Sequence, residues 1–384
     1  MALAAGLWLG GHPTLIPSPL RKPFVDKQTR VVAEAMDEIN DTYYRKIPRS
    51  ALADASIKGM VQHLGDRFSN YFTPKEYRGF KQSQNSEFSG VGMTVSQDPQ
   101  GLRVAQVYAG SPAKRAGIRA GDLITKVGTK SLKGLSSDAA SALVKGPPGT
   151  RVLLTFKHAS GKTVVRLVTR ATVNVPMVAS AMKTLHGQKI GVVALAQFGS
   201  GAHGEVDDAL SKLERRGATR FVFDLRHNGG GLVTEAQLIS SAFLQPGAVV
   251  VTTRGRSVPS RTLHAVGKPV APTQPLVVLV DDFTASASEI VTGALKDDHR
   301  ATVVGTRTFG KGVFQEVIEL SNGGALDITA GQYFTPDGHN LGGQGVKTGA
   351  GITPDVIVKD NVRTPRRDEA LDRALRVVAG LPSK

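Results

Sequence analysis

The spacing of apolar positions along this chain changes twice, and the changes divide it. Val31, Val32, Ala35, Met36 and Ile39 form one helical stripe, and Leu52, Ile57, Met60, Val61 and Leu64 form another. Residues 26–87 therefore read as an N-terminal helical region. Residues 88–171 predict a strand-rich module with turns at Asp98-Pro99, Gly146-Pro147-Pro148-Gly149 and Ser160-Gly161-Lys162. From Lys189 onward strands alternate with helices: strands over 190–195, 221–225 and 276–280, helices over 204–215, 232–244 and 286–296. This alternation predicts an α/β core over 172–362. Strands over 313–320 and 325–334 follow, joined through Ser321-Asn322-Gly323-Gly324, and an amphipathic helix over 368–379 closes a C-terminal segment of 363–384.

Residues 1–25 are an apolar, proline-containing leader. Its apolar stretch, Ala2 to Leu9, is too short for a bilayer span, which needs about twenty residues. It reads as a mobile leader or as the remnant of a signal or membrane anchor. Composition narrows the classes further. The chain has 384 residues, 40% hydrophobic, enough for two or three domains with real cores. It contains no cysteine, which excludes disulfides, thiolate metal sites and a cysteine nucleophile. A net charge of +16 favours contact with anionic membrane or cell-wall surfaces. The basic residues are dispersed and aromatics make up 5%, so a specific nucleic-acid reader is not indicated.

Candidate chemistry begins at Thr284-Ala285-Ser286-Ala287-Ser288-Glu289-Ile290, which follows the apolar run Leu276–Val280. A serine hydroxyl becomes a nucleophile when a nearby base takes its proton. Lys311, in Phe309-Gly310-Lys311-Gly312, is such a base when its ammonium is disfavoured. Gly310 and Gly312 let the backbone bend tightly, and the Gln315 amide holds the amine without adding charge. The competing reading is a helix-capping Ser286 and a turn lysine. A second turn, Arg226-His227-Asn228-Gly229-Gly230-Gly231, follows a strand and precedes a helical pattern. Amides at Gly230 and Gly231, with that of Ala287, are suited to an oxyanion, although a plain tight turn has the same composition.

These segments, Asp224 to Leu232, Thr284 to Ile290 and Phe309 to Gln315, resemble the three core motifs of the carboxyl-terminal processing proteases, also called tail-specific proteases. The order and the 25-residue separation of Ser286 from Lys311 match. Ser111-Pro112-Ala113, Ala116 to Ile124 and Val127 are similar to the central signature of PDZ domains, and Gly90-Val91-Gly92-Met93 resembles their carboxylate-binding loop. Leu64 to Pro74, Tyr333 to Gly338 and Gly351 to Val356 resemble further family segments. The likeness covers roughly residues 26–360, and it departs from the family at Gly65 and in a glycine-rich excursion over 339–350.

The resemblance implies an α/β multidomain protein: a crotonase-like spiral of ββα units with a PDZ-like module at 88–171. It implies a serine peptidase that uses Ser286 as nucleophile, Lys311 as base and Gln315 as its partner. Protein substrates with extended, nonpolar C-termini would enter through the PDZ-like module, at an extracytoplasmic site and with no cofactor. A catalytically silent scaffold that binds C-terminal peptides is the alternative, and an acyl-CoA enzyme on the same fold is a third. Among the histidines, His227 is the one beside the proposed site, as a loop residue or a competing base. No metal-ligand spacing is evident. Gly161-Lys162-Thr163 ends like a phosphate loop, but Phe156 stands where its first glycine is needed. Serine proteases that carry the PDZ domain after the nucleophile surround that serine with glycines, whereas here the neighbours are alanines.

Overall fold

The computed structural model describes residues 27–84, 87–174, 176–343, 350–359 and 367–382. The leader at 1–25, and parts of the 339–350 excursion and of the 363–384 segment, lie outside the described residues. The chain begins with α1 (Lys27–Thr42), α2 (Arg49–His63), β1 (Asn70–Phe72), α3 (Pro74–Gln84), β2 (Glu87–Gly90), β3 (Met93–Asp98) and β4 (Gly101–Val107). It continues with α4 (Pro112–Arg115), β5 (Leu123–Val127), β6 (Lys130–Ser131), α5 (Ser137–Val144), β7 (Arg151–Lys157), β8 (Thr163–Thr169) and β9 (Ala171–Asn174). Then come β10 (Val178–Leu185), β11 (Gln188–Leu195), α6 (Ala202–Arg215), β12 (Arg220–Asp224), α7 (Val233–Ser241), β13 (Val249–Gly255) and β14 (Arg261–His264). Last are β15 (Leu276–Val280), α8 (Ala287–Asp297), β16 (Thr302–Gly305), β17 (Val313–Glu319), β18 (Ala325–Phe334), β19 (Val356–Ile357) and α9 (Glu369–Val378).

The chain divides into two compact units. Among the described residues, one holds 27–75 with 316–329 and the other holds the rest. In the first unit β1 pairs antiparallel with the start of β18, Tyr71 opposite Leu326. The buried Tyr71 hydroxyl donates to Asp54 (2.6 Å) and accepts from Asn322 (2.7 Å). Both expected N-terminal helices form. Their apolar stripes, however, stay largely uncovered: no residue of α1 is buried, and in α2 only Val61 is. Periodicity fixes which face is apolar and does not supply a partner for it.

The second unit contains separate hydrophobic cores. Leu102, Ile118, Ile124, Leu154 and Phe156 centre the one inside the sheet β3-β4-β5-β7-β8. β2 and β9 pair antiparallel at the two ends of that module, Gly90 opposite Ala171. Serine caps start its helices, with Ser111 Oγ accepting from Lys114 N (3.2 Å) and Ser136 Oγ from Ala139 N (3.3 Å).

The other sheet runs β10-β11-β12-β15-β16-β19, in chain order with no reversal. Its strands are parallel except for β10, which forms an antiparallel edge hairpin with β11. Phe221, Phe223 and Val278 face α6, α7 and α8, while Val222, Val277 and Leu279 face α9. Burial on both faces is why β15 reads as an unbroken apolar run. The helix expected over 232–244 ends at Ser241, because Ala242, Phe243 and Leu244 are buried in the turn that follows and so extend the apolar pattern past the helix. β10, β13 and β14 were not expected. β10 lies at the sheet edge with mostly exposed side chains, and this removes the apolar signal.

Candidate active site

Parallel neighbours β12 and β15 end side by side, Asp224 opposite Leu279, and each runs into a loop and then a helix. Crevices beyond the carboxyl ends of parallel strands are where such sheets place sites. Fully buried Asn228 joins the two loops. Its carbonyl accepts from Ala285 N (3.0 Å) and Ser288 Oγ (2.9 Å), and its amide donates to the Leu195 carbonyl (2.8 Å). The Thr284 hydroxyl adds a bond to the Leu225 carbonyl (2.9 Å).

Ser286 precedes the first turn of α8 with φ 56° and ψ −116°. A positive φ at a non-glycine residue is strained, and it persists only where the surroundings enforce it. The enforcing group is Glu289, one turn on and fully buried. Its Oε2 accepts from Ser286 N (2.9 Å) and Lys311 N (2.9 Å), and its Oε1 accepts from Thr308 Oγ1 (2.6 Å) and Gly310 N (2.7 Å). One carboxylate oxygen thus holds the backbones of residues 286 and 311 within two hydrogen-bond lengths of each other. Burial raises the Glu289 pKa, and the bonds from Thr308, Gly310, Lys311 and Ser286 oppose that rise.

Lys311 Nζ donates to Gln315 Oε1 at 2.8 Å, as the equal parity of the two positions on an extended segment predicts. Gly310 has φ 83°, and a side chain on Gly312 would sit 1.9 Å from Gly342 N, so each glycine has a definite reason. Burial pushes the pKa of the Tyr333 phenol well above the ordinary value, and the neighbouring Ser286 hydroxyl opposes that rise. The phenol therefore stays neutral and able to donate.

Gly230, φ 99°, lies so close to the serine segment that a Cβ there would be 2.8 Å from Ser286 Cβ and 2.9 Å from Ala287 N. Its own N–H donates to Asn228 Oδ1 (2.9 Å). Gly231 bridges Phe198, and a Cβ on it would meet the Phe198 carbonyl at 2.4 Å. Ala287 is the first residue of α8, where helical geometry leaves the backbone N–H without an intrahelical partner.

His227 stands on the rim with its side chain 76% exposed, φ 58°, and Nδ1 2.8 Å from the Asp281 carboxylate. Its ring packs on that of Phe283, centroids 5.5 Å apart. Arg226 makes paired bonds to Asp224 and to Asp368 at the start of α9. A cleft of about 690 Å³ opens beside Arg226 and His227, with Gln106 and Tyr108 of the strand-rich module on one wall and Met177 and Leu195 of the core on the other. Within the module, Gly90, Val91, Gly92 and Met93 line a small cavity of about 60 Å³ against Val144 and Lys145 at the end of α5. Gly92 has φ 81°, and a Cβ there would meet Ser111 Cβ at 2.3 Å.

Sequence reasoning missed Asn228, Glu289, Thr308 and Tyr333 as parts of this site. For Glu289 a signal existed: Ser-x-x-Glu at a helix start is a capping pattern. The other three become neighbours of Ser286 only through the fold.

A strained serine at a buried helix start, glycine-turn backbone packed against it and an amine on the adjoining segment are groups of the kind that acyl transfer uses. Residues 189–358 of the chain match the model of peptidase family S41, and residues 103–157 match that of the PDZ domain. A probable CtpA-like serine protease of Staphylococcus aureus (strain COL) is 36% identical over 321 residues, 83% of this chain and 62% of the relative. The carboxy-terminal processing protease CtpA of Bacillus subtilis (strain 168) is 33% identical over 314 residues, 82% of this chain and 66% of its own length. The chain thus spans a little under two thirds of these curated relatives. Among solved structures, a photosystem II D1 C-terminal processing protease superposes with a TM-score of 0.52 at 28% identity, covering 92% of this chain and 97% of that one.

Proposed function

We propose that this chain is a serine endopeptidase that captures the extended C-terminal tails of proteins and cleaves them through an acyl-enzyme. Ser286 is the nucleophile, Lys311 the general base and Gln315 the group that orients the amine. The observation that carries this reading is the Glu289 carboxylate, which bonds the amides of both Ser286 and Lys311 while Lys311 Nζ bonds Gln315. A site that needs a strained serine and a lysine together has reason to tie their backbones to one buried group.

In the reaction Lys311 takes the Ser286 proton as the oxygen attacks the scissile carbonyl, then returns it to the leaving amine; water repeats the cycle on the ester. Amides of Ala287 and Gly231 receive the oxyanion. Gly230 supplies clearance, and its N–H joins them when it leaves Asn228 Oδ1. The Tyr333 phenol holds the hydroxyl in place before attack.

Substrate enters by adding a strand beside β3, its terminal carboxylate on the amides of Gly90 to Met93 and near Lys145. The 690 Å³ cleft beside the module leads toward the catalytic loops. The core is a crotonase-like spiral, a reading supported by strand order that follows chain order. Domains run 26–87, 88–171 and 172–362. Work outside the cytoplasmic membrane is what the family resemblance implies, and the net charge of +16 suits an anionic surface there. Among the described residues no helix is long and apolar enough to cross a membrane.

The test is cleavage of an unstructured protein with a nonpolar C-terminus by the parent, Ser286→Ala and Lys311→Ala across a pH series. Both variants are expected to lose activity by at least about a thousandfold, with the parent rate rising as an amine deprotonates. Activity that survives Lys311→Ala and follows a group titrating near neutrality would transfer the base to His227. An inactive parent that still binds C-terminal peptides would favour the scaffold reading.

A further inference from the structure

We propose that Asp297, Asp337 and His339 form a binding site for one divalent transition-metal cation of the zinc class. Asp297 ends α8, and the other two lie on the turn that follows β18. One donor atom from each lies within 4.8 Å of the others. An imidazole nitrogen with two carboxylates, leaving positions for hydroxyl or water, is a donor set that zinc accepts. Zinc donors sit about 2.0–2.2 Å from the ion, so the three must close by about 1 Å. Asp337 and His339 are exposed and free to make that adjustment.

The surroundings are organised for such an ion. Thr335 N donates to the His339 carbonyl (3.0 Å) and Gly338 N to the Thr335 carbonyl (2.8 Å), which closes the turn that presents both ligands. Asp337 N also donates to Asp297 Oδ2 (3.0 Å), an outer bond that orients the third. The cluster divides two cavities of about 630 and 320 Å³.

Independently, Thr335 lines the smaller cavity with Asp297 and His339, is 7% exposed, and its hydroxyl has no partner. Its methyl group lies against Gly293 of α8. A buried hydroxyl without a hydrogen bond is costly, and a metal-bound water or the metal itself would satisfy it. Charge agrees. The cluster adjoins the negative end of the α8 dipole, and the nearby Lys296 is already committed to Asp355 and to the Thr353 carbonyl.

A bound ion would tie the end of the helix that begins beside Ser286 to the turn after the strand that carries Tyr333. Its assignment does not depend on the peptidase reading.

The test is calorimetric titration of the EDTA-stripped full chain with zinc chloride, followed by cobalt(II) absorption and thermal melting. One equivalent is expected, with visible bands from a nitrogen-containing cobalt site and a higher melting temperature when zinc is present. Asp337→Asn/His339→Ala, both exposed, should fold as the parent does and lose at least about tenfold in affinity together with the cobalt bands. Asp297→Asn should weaken binding in the same direction. Less than one equivalent on the parent, an unchanged titration in the double variant, or a preference for calcium over zinc would each overturn the assignment.

Discussion

Four donors surround the Glu289 carboxylate, two on each oxygen, and the side chain is fully buried. Replacing it with alanine strands those donors in a dry site. Glu289→Ala is therefore expected to cost at least about 3 kcal/mol in urea unfolding and to abolish activity together with stability. The pH dependence has a definite sign. Burial raises this carboxyl above its ordinary value of 4.5, so its contribution is full below that value and declines as pH rises through the raised one. Glu289→Gln should flatten the part of the stability curve that lies above about pH 4.5, which unfolding midpoints measured at successive pH values will read. Ser286, Lys311 and Gln315 could be nominated from residue type and spacing. Tyr333 could not, because its phenol meets Ser286 across an interval of chain that no local pattern bridges.

At the level of elements, legibility followed burial. The strands Leu276–Val280 and Ala325–Phe334 match expectation to the residue, α9 differs from it by its cap residues alone, and α8 is displaced by one residue at each end. β10 escaped because an edge strand shows solvent its side chains, and the stripe of α1 was legible while its exposure was not. Helix α9 yields a prediction of its own. Asp368 caps it by accepting from Leu371 N (2.8 Å), and it pairs through both oxygens with Arg226 (2.8 and 2.9 Å), beside the glycine turn. Burial alone would raise the Asp368 pKa, but the bonds from Arg226 and Leu371 outweigh it and hold the carboxyl below 3.8. Its stabilising contribution is thus present above that ordinary value and is lost as pH falls through the lowered one. Asp368→Asn should remove part of the acid sensitivity of unfolding, and Asp368→Ala should cost about 1 kcal/mol or more at neutral pH through loss of the cap.

For the whole molecule, the proposed function requires a peptide-capture module and a cleavage site in one chain, and substitution tests the two separately. Gly92→Ala would force a Cβ to 2.3 Å from Ser111 Cβ at a φ of 81°. It is expected to weaken binding of a fluorescent peptide with a nonpolar C-terminus by at least about tenfold, while a short reporter that bypasses the module is still cleaved. Equal losses on both substrates would mean that the module supports the core and does not capture tails. The sequence by itself determined the order of modules, the strands buried on both faces and the residue types of the site, because burial and backbone geometry impose local rules on apolar spacing, serine caps and glycine turns. Tertiary structure alone decided that Asn228 joins two loops, that Glu289 reaches beyond its local bond to Ser286 to hold the backbone of Lys311, and that Asp297 meets Asp337 and His339. Those contacts connect residues far apart in the chain, and the stacking of strands and helices that brings them together leaves no local periodicity to read.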